Sequence, residues 1–314
     1  MVPSTKSSPF STKQLLVTAL VALAAGSAQA AGAKNVTSVA NHATFGKITS
    51  GSGKCITGDP TTGVTRKDVD WVWKNTMSKT VLDFQNLIFD QIVTGNGHLS
   101  YCVRWDNSQK LTKAVASKFQ AMLERQINVW NRWLSGYECW PYDKIDISVV
   151  GFAVRDKSIM DWDDDSLGTI YEGILDNEGS PKCPDECYKH LGQAASADTS
   201  GCKGKPFDIS LWATARPGDS PSDTTALDAD AIGTDGDWGQ RVWVVDMLNK
   251  VDEPEMDVIL HEMGHGFGLP DMYVAENKPA GYPACVMDDD TAIADADGWQ
   301  LRSILSNIKS RYNF

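Results

Sequence analysis

His261-Glu262-Met263-Gly264-His265-Gly266-Phe267-Gly268-Leu269-Pro270-Asp271 is the stretch on which the reading of this chain turns. Residues four apart on a helix differ by about 6 Å in rise and roughly 40° in azimuth. His261 and His265 therefore aim their imidazoles to one side, where both can hold one tetrahedral ion. Glu262 is adjacent, near enough to reach a water on that ion without entering its coordination shell. The ion would lower the pKa of the water, and the glutamate would take its proton during attack on a carbonyl. That division of labour is what His-Glu-x-x-His encodes. Gly268 can adopt the left-handed turn that ends the helix and folds the chain back. Pro270 stiffens the return, and Asp271 arrives with a hard oxygen ligand. Three protein ligands plus a water mark a catalytic zinc rather than a closed structural one. One zinc per chain is expected, on His261, His265 and Asp271.

Just upstream, Asp252 reads as a helix cap, Pro254 suits a first turn, and Glu253 and Glu255 favour the positive end of the dipole. Arg241 to Asp246 reads as a strand, residues 215 to 239 as turns, and Phe207, Ile209 and Leu211 alternate as another strand. Thr112 to Leu134 is the strongest helix, with Val115, Phe119, Met122, Leu123, Ile127, Trp130 and Leu134 on one stripe. Ile145, Ile147 and Val149 alternate, and Val150, Phe152 and Val154 continue on the opposite parity, as a bulge near Gly151 allows. Leu99 to Trp105 reads as a strand, and Val81 to Val93 as a short helix. Downstream, Trp299 to Ile308 carries an apolar helical face. Residues 156 to 205, with acids, Pro, Gly and three cysteines, read as a disulfide-pinned insertion. This order predicts an α+β domain with a mixed sheet and no internal repeat.

The first thirty of the 314 residues are set aside. Lys6 and Lys13, the apolar run Leu15 to Ala25 and the small-x-small site Ala28-Gln29-Ala30 have the form of a signal peptide, too short to span a bilayer. Losing Lys6 and Lys13 takes the formal charge from −12 to −14. A surface that acidic argues against nucleic acid or anionic membrane as partner. A secreted, extracellular chain makes disulfides the default for Cys55, Cys102, Cys139, Cys183, Cys187, Cys202 and Cys285. The number is odd, so one thiol is left over, and Cys183, Cys187 and Cys202 are expected to share at least one bridge. Asn35-Val36-Thr37 is a glycosylation sequon.

On the motif, the sequence resembles the metzincin clan of zinc metalloproteases, in which a Gly after His-Glu-x-x-His turns the chain toward a third ligand three residues later. Most members use His there. HEMGHGFGLPDMY is similar to the corresponding stretch of the snapalysin family, which shares the Asp and the Gly-Leu-Pro-Asp-x-Tyr continuation, and to secreted microbial proteins carrying this motif. The close likeness covers about a dozen residues, and a looser one in the order of elements runs from about Leu99 to Phe314. It implies a twisted mixed sheet, a long backing helix, an active-site helix, a Met-turn and a C-terminal helix. It further implies a metalloendopeptidase acting on protein or peptide, with Glu262 as general base. The turn methionine would be Met287, in Cys285-Val286-Met287-Asp288, rather than Met256, Met263 or Met272. Its position between Gly281, Pro283 and the last helix selects it. Some relatives carry an oxyanion-steadying tyrosine two residues later. Here that residue is Asp289, which leaves Tyr273 and Tyr282 as unranked substitutes.

Residues 97 to 314 would form the catalytic domain, and residues 31 to 96 an N-terminal extension or pro-segment. Cys55 in that segment has the chemistry of a thiolate plug on the zinc, but the oxidising compartment favours a disulfide to the domain. Asp161, Asp163, Asp164 and Asp165, and Asp228, Asp230, Asp235 and Asp237, are acidic enough for calcium but lack the EF-hand spacing, and a solvated loop is the better reading. His42, His98 and His190 are scattered and read as surface or packing residues. Asp288, Asp289 and Asp290 compete with Asp271 as third ligand. Two rivals stand against a protease: a silent binding protein stabilised by zinc, and a zinc hydrolase of non-protein amides. Glu262 argues against the first, since a structural site has no use for it.

Overall fold

The computed structural model describes residues 45–47, 55–194, 196–215, 230–234, 237–288 and 292–314, with backbone alone at 45–47, 193, 230–234 and 237–238. Phe45–Lys47 (β1) precedes three helical segments. Arg66–Val72 (α1) starts on Thr65, which exchanges side-chain and backbone hydrogen bonds with Asp68 in a capping box. A π-turn, Trp73–Met77, leads into Ser78–Asp83 (α2), and Ile88–Thr94 (α3) follows. The periodicity over Val81 to Val93 suggests one helix; Phe84, extended at φ −86° and ψ 130°, divides it.

His98–Asp106 (β2) leads to Lys113–Ala116 (α4) and Phe119–Leu134 (α5), so the expected long helix is two. Thr112 caps the first through its hydroxyl, and the break falls at Ser117-Lys118. Asp146–Val154 (β3), Thr169–Glu172 (β4), Ile209–Thr214 (β5), Asp230–Thr234 (β6) and Asp237–Trp243 (β7) complete a sheet with β2. Its order is β4-β3-β2-β5-β7-β6, with five strands parallel and β6 alone antiparallel. The mixed α/β character expected from the sequence is therefore present. So is the bulge: Tyr101 pairs with Val149 but Cys102 with Gly151, leaving Val150 as the extra residue.

Val244–Lys250 (α6), Asp257–Phe267 (α7), Asp295–Ile308 (α8) and Tyr312–Asn313 (β8) finish the chain, and β8 pairs parallel with β1. Two expectations fail here. Val244 and Val245 belong to a helix, not a strand, and α7 begins at Asp257 rather than behind Asp252. Periodicity could not separate these cases, because a short apolar run reads equally well either way. Pro254 stays outside the helix, its carbonyl accepting from Gln126 Nε2 at 3.4 Å.

One face of the sheet packs on the helices in the principal core. Tyr101, Val103, Phe152, Leu211 and Val242 meet Phe119, Leu123, Ile127, Ile259 and Leu305 there. The other face is covered by residues of the 156–205 stretch, where Cys102, Val150 and Ala153 meet Cys183, Cys187, Tyr188 and Phe207. Cys102–Cys183 and Cys187–Cys202 pin that cover, as a disulfide-pinned insertion requires, and β4 within it extends the sheet. Asp208 ties it further, accepting from Ser100 N at 2.7 Å, Lys189 Nζ at 2.9 Å and His190 Nε2 at 3.1 Å.

The domain boundary expected at residue 97 is too late. Asn41–Phe314 form one compact unit, and Val69, Val72, Val81, Ile88, Phe89 and Ile92 are buried in the principal core. Arg311 donates to the carbonyls of Val81 (2.7 Å), Leu82 (3.3 Å) and Phe84 (3.1 Å) and lies 3.3 Å from Asp90. Cys55 bonds to Cys139, so it is no thiolate plug; Cys285 is the free cysteine, and it is buried. Residues 1–30 and the Asn35 sequon lie outside the described residues, as does His42. Among the described residues no helix is long and apolar enough to cross a membrane.

Candidate metal centre

The helix α7 is set by α5 before any ligand is considered. Trp130 Nε1 donates to Leu260 O at 3.0 Å, and Gln126 Oε1 accepts from Met256 N at 2.9 Å. Phe267 packs at 5.0 Å from Phe89 and 5.9 Å from Trp130, measured between ring centroids. At its end Gly268 takes φ +103°, a left-handed conformation that L side chains avoid, and turns the chain back. The turn brings Asp271 beside both histidines, as the spacing predicts.

Three ligand atoms then converge. His261 Nε2 lies 3.1 Å from His265 Nε2 and 3.1 Å from Asp271 Oδ1, and His265 Nε2 lies 3.0 Å from the same oxygen. Ligand atoms about 2.0–2.1 Å from a tetrahedral ion stand roughly 3.3–3.4 Å from one another, so the triangle has the size of one face of such a site. Its chemistry fits better still. His261 Nδ1 faces Val286 O at 2.9 Å and His265 Nδ1 faces Leu269 O at 2.8 Å. Each Nδ1 therefore carries the proton, and each neutral ring presents Nε2 as a lone pair. Two lone pairs and a carboxylate oxygen at 3 Å repel unless positive charge, brought by a proton on one Nε2 or by a metal ion, stands among them.

The electrostatics say the same. Burial disfavours a charged His261, yet the hydrogen bonds to Asp271 and Val286 carry its pKa above the ordinary value. Burial also works against an ionised Asp271, but His261, His265 and Tyr273 hold its carboxyl well below the usual carboxylate range. The pocket is built for positive charge. His261, His265 and Asp271 form the one group of three or more His, Cys, Asp or Glu with metal-binding geometry among the described residues.

Glu262 is 1% exposed on the same helix, and its charge acts on His261. Met287 is fully buried below, where a Cβ on Gly264 would collide with its Sδ and stand 3.1 Å from Trp130 Cζ2. Met256, Met263 and Met272 are buried as well, but Met287 is the one that meets the metal-side glycine. Tyr273 is half-exposed and stacks beside His261, rings 6.2 Å apart and 11° from parallel. Tyr282 instead sits in the core, its hydroxyl accepting from Gln300 Nε2 at 3.0 Å.

Among the competing ligands, Asp288 pairs with Lys278 Nζ at 2.5 Å, while Asp289 and Asp290 lie outside the described residues. Asp161 accepts from Lys113 N, and Asp164 binds Lys113 Nζ and caps a short turn, so these acids have protein partners. Asp228 and Asp235 lie outside the described residues, as do the side chains of Asp230 and Asp237. His98 bonds Ser148 at 2.9 Å.

Asp297 escapes sequence reasoning. Its buried carboxylate accepts from Val286 N at 3.0 Å, Met287 N at 3.4 Å and Ala294 N at 2.8 Å, fixing the turn whose Val286 carbonyl orients His261. The signal was an acid in the third position of the last helix, where it also takes the capping N–H. No protein-family model, no curated protein and no solved structure matches this chain.

Proposed function

We propose that this chain is a secreted, zinc-dependent endopeptidase of metzincin type, with His261, His265 and Asp271 as ligands. The observation that carries the reading is the triangle of two imidazole Nε2 atoms and one carboxylate oxygen, about 3 Å on a side, with both histidines on a helix that also carries a buried glutamate. Zinc, when bound, supplies Lewis-acid polarisation and an acidified water. The Val286 and Leu269 carbonyls keep both imidazoles in the tautomer a metal needs. Glu262 takes a proton from the attacking water and returns it to the leaving amine. Its burial supports that role, because a carboxylate removed from water is costly without positive charge nearby, and an ion on the ligand triangle would supply that charge. Tyr273, beside His261 and bonded to Asp271, is the better placed of the two tyrosines to donate to a developing oxyanion. The signal-peptide pattern and the three disulfides support secretion.

Casein digestion by the purified chain tests the reading. Hydrolysis is expected to stop with a chelator and return with zinc. Glu262→Gln should keep one zinc per chain and lose at least 100-fold in rate, the scale of a general base. Zinc-loaded protein that leaves casein intact would overturn the protease assignment. Glu262→Gln with wild-type turnover would overturn the role of the glutamate.

A further inference from the structure

Asp271 lies in an irregular segment, yet its backbone is held on both sides. The next residue, Met272, donates its N–H to Met287 O at 2.6 Å. The carbonyl of Asp271 itself accepts from Asn277 Nδ2 at 2.9 Å, after the short turn Ala275–Asn277 has brought that side chain back. Lys278 follows and pairs with Asp288 at 2.5 Å, both side chains about four-fifths covered. The loop is thus stitched to the Met287 turn at two points, with the Asn277 amide between them.

We infer that Asn277 is a positioning residue for the third ligand, held at its post by the Lys278–Asp288 ion pair. The inference rests on the metal reading above. An aspartate is short, so the place of its carboxylate follows the place of its backbone. A shift of about 1 Å is enough to loosen a built site. His261 and His265 are oriented by carbonyls of the main chain, which no substitution removes. The Asp271 backbone depends on a side chain, and that makes Asn277 a replaceable part of the outer layer, beside Tyr273 at the Asp271 carboxylate and Asp297 under the Val286 turn. Removing such an outer partner costs about 10–100-fold in metal affinity.

Zinc dissociation constants of the full chain, measured by chelator competition, test this. Asn277→Ala and the isosteric Asn277→Asp, which replaces the donor by an acceptor, should both weaken zinc by about 10–100-fold. Both should also alter the absorption spectrum of the cobalt-substituted protein. Lys278→Met should shift both readouts the same way, and Lys278→Arg should restore them. Melting of the metal-free proteins identifies any variant that has lost its fold; if both Asn277 variants have, Lys278→Met decides. Parent-like affinity and spectrum in the folded variants would overturn the inference and leave the ligand set standing. If His261→Ala leaves zinc affinity unchanged, the ligand set fails and the inference fails with it.

Discussion

At the scale of single residues the proposed metal centre is a problem of charge. In the proposed site a neutral imidazole pair would leave a divalent ion uncompensated, and Asp271 would supply the negative charge. Asp271→Ala is therefore expected to weaken zinc by orders of magnitude. Asp271→His should recover binding in part, since carboxylate oxygen and imidazole nitrogen bind zinc at similar distances of about 2.0–2.2 Å. Equilibrium zinc titration checks both; an alanine variant with unchanged affinity would show that another group is the third ligand. The three members of the His261, His265 and Asp271 cluster were legible in the sequence, because helical pitch and a glycine turn fix three positions within eleven residues. The groups that steady them were not. Asn277 and Asp297 are ordinary polar residues until the fold brings them to a carbonyl or an N–H.

At the scale of elements the decisive junction is between α7 and the ligand loop. Gly268 takes φ +103°, and a Cβ there would stand 2.8 Å from Val81 Cγ2 and 3.4 Å from Leu87 Cδ2. Gly268→Ala should cost about 1–3 kcal/mol, from backbone strain plus the contact. Val81→Ala in that background should give back the contact part, although alone it destabilises the core. Urea denaturation of the two single variants and the double reads the coupling; additive effects would mean that the two sites do not touch. Glycine at this position was readable as a turn. That its other side packs on a helix nearly two hundred residues earlier was not, since no local pattern encodes a tertiary neighbour. The same gap explains why residues 31 to 96, of which 55 to 96 are described throughout, read as an extension. Their apolar residues mark a core-facing helix without saying whose core.

For the whole molecule, the cover over the second sheet face hangs on the two disulfides and on Asp208, whose partners come from β2 and from the insertion. Burial raises the pKa of this carboxyl, but His190 and Lys189 outweigh burial and hold it below the ordinary value. A carboxyl with a depressed native pKa stabilises the fold above its unfolded pKa, about 3.9, and loses that contribution as pH falls through the native value. Stability of the parent should therefore fall faster than that of Asp208→Asn below about pH 4. Urea midpoints for the two proteins between pH 3 and 6 provide the comparison, and parallel curves would show that the carboxylate contributes nothing to acid sensitivity.

Arg311 has a consequence for how the chain is made. Its guanidinium serves carbonyls at 81, 82 and 84, the first of them 230 residues earlier in the chain. At a synthesis rate of about 5–20 residues per second, those residues wait roughly 10–50 s for their partner to emerge. During that interval the apolar face of the early helices has no finished core to enter. Folding of this unit therefore cannot finish before Arg311 has been made, and the burden of keeping the early helices from aggregating until then falls on whatever holds the nascent chain.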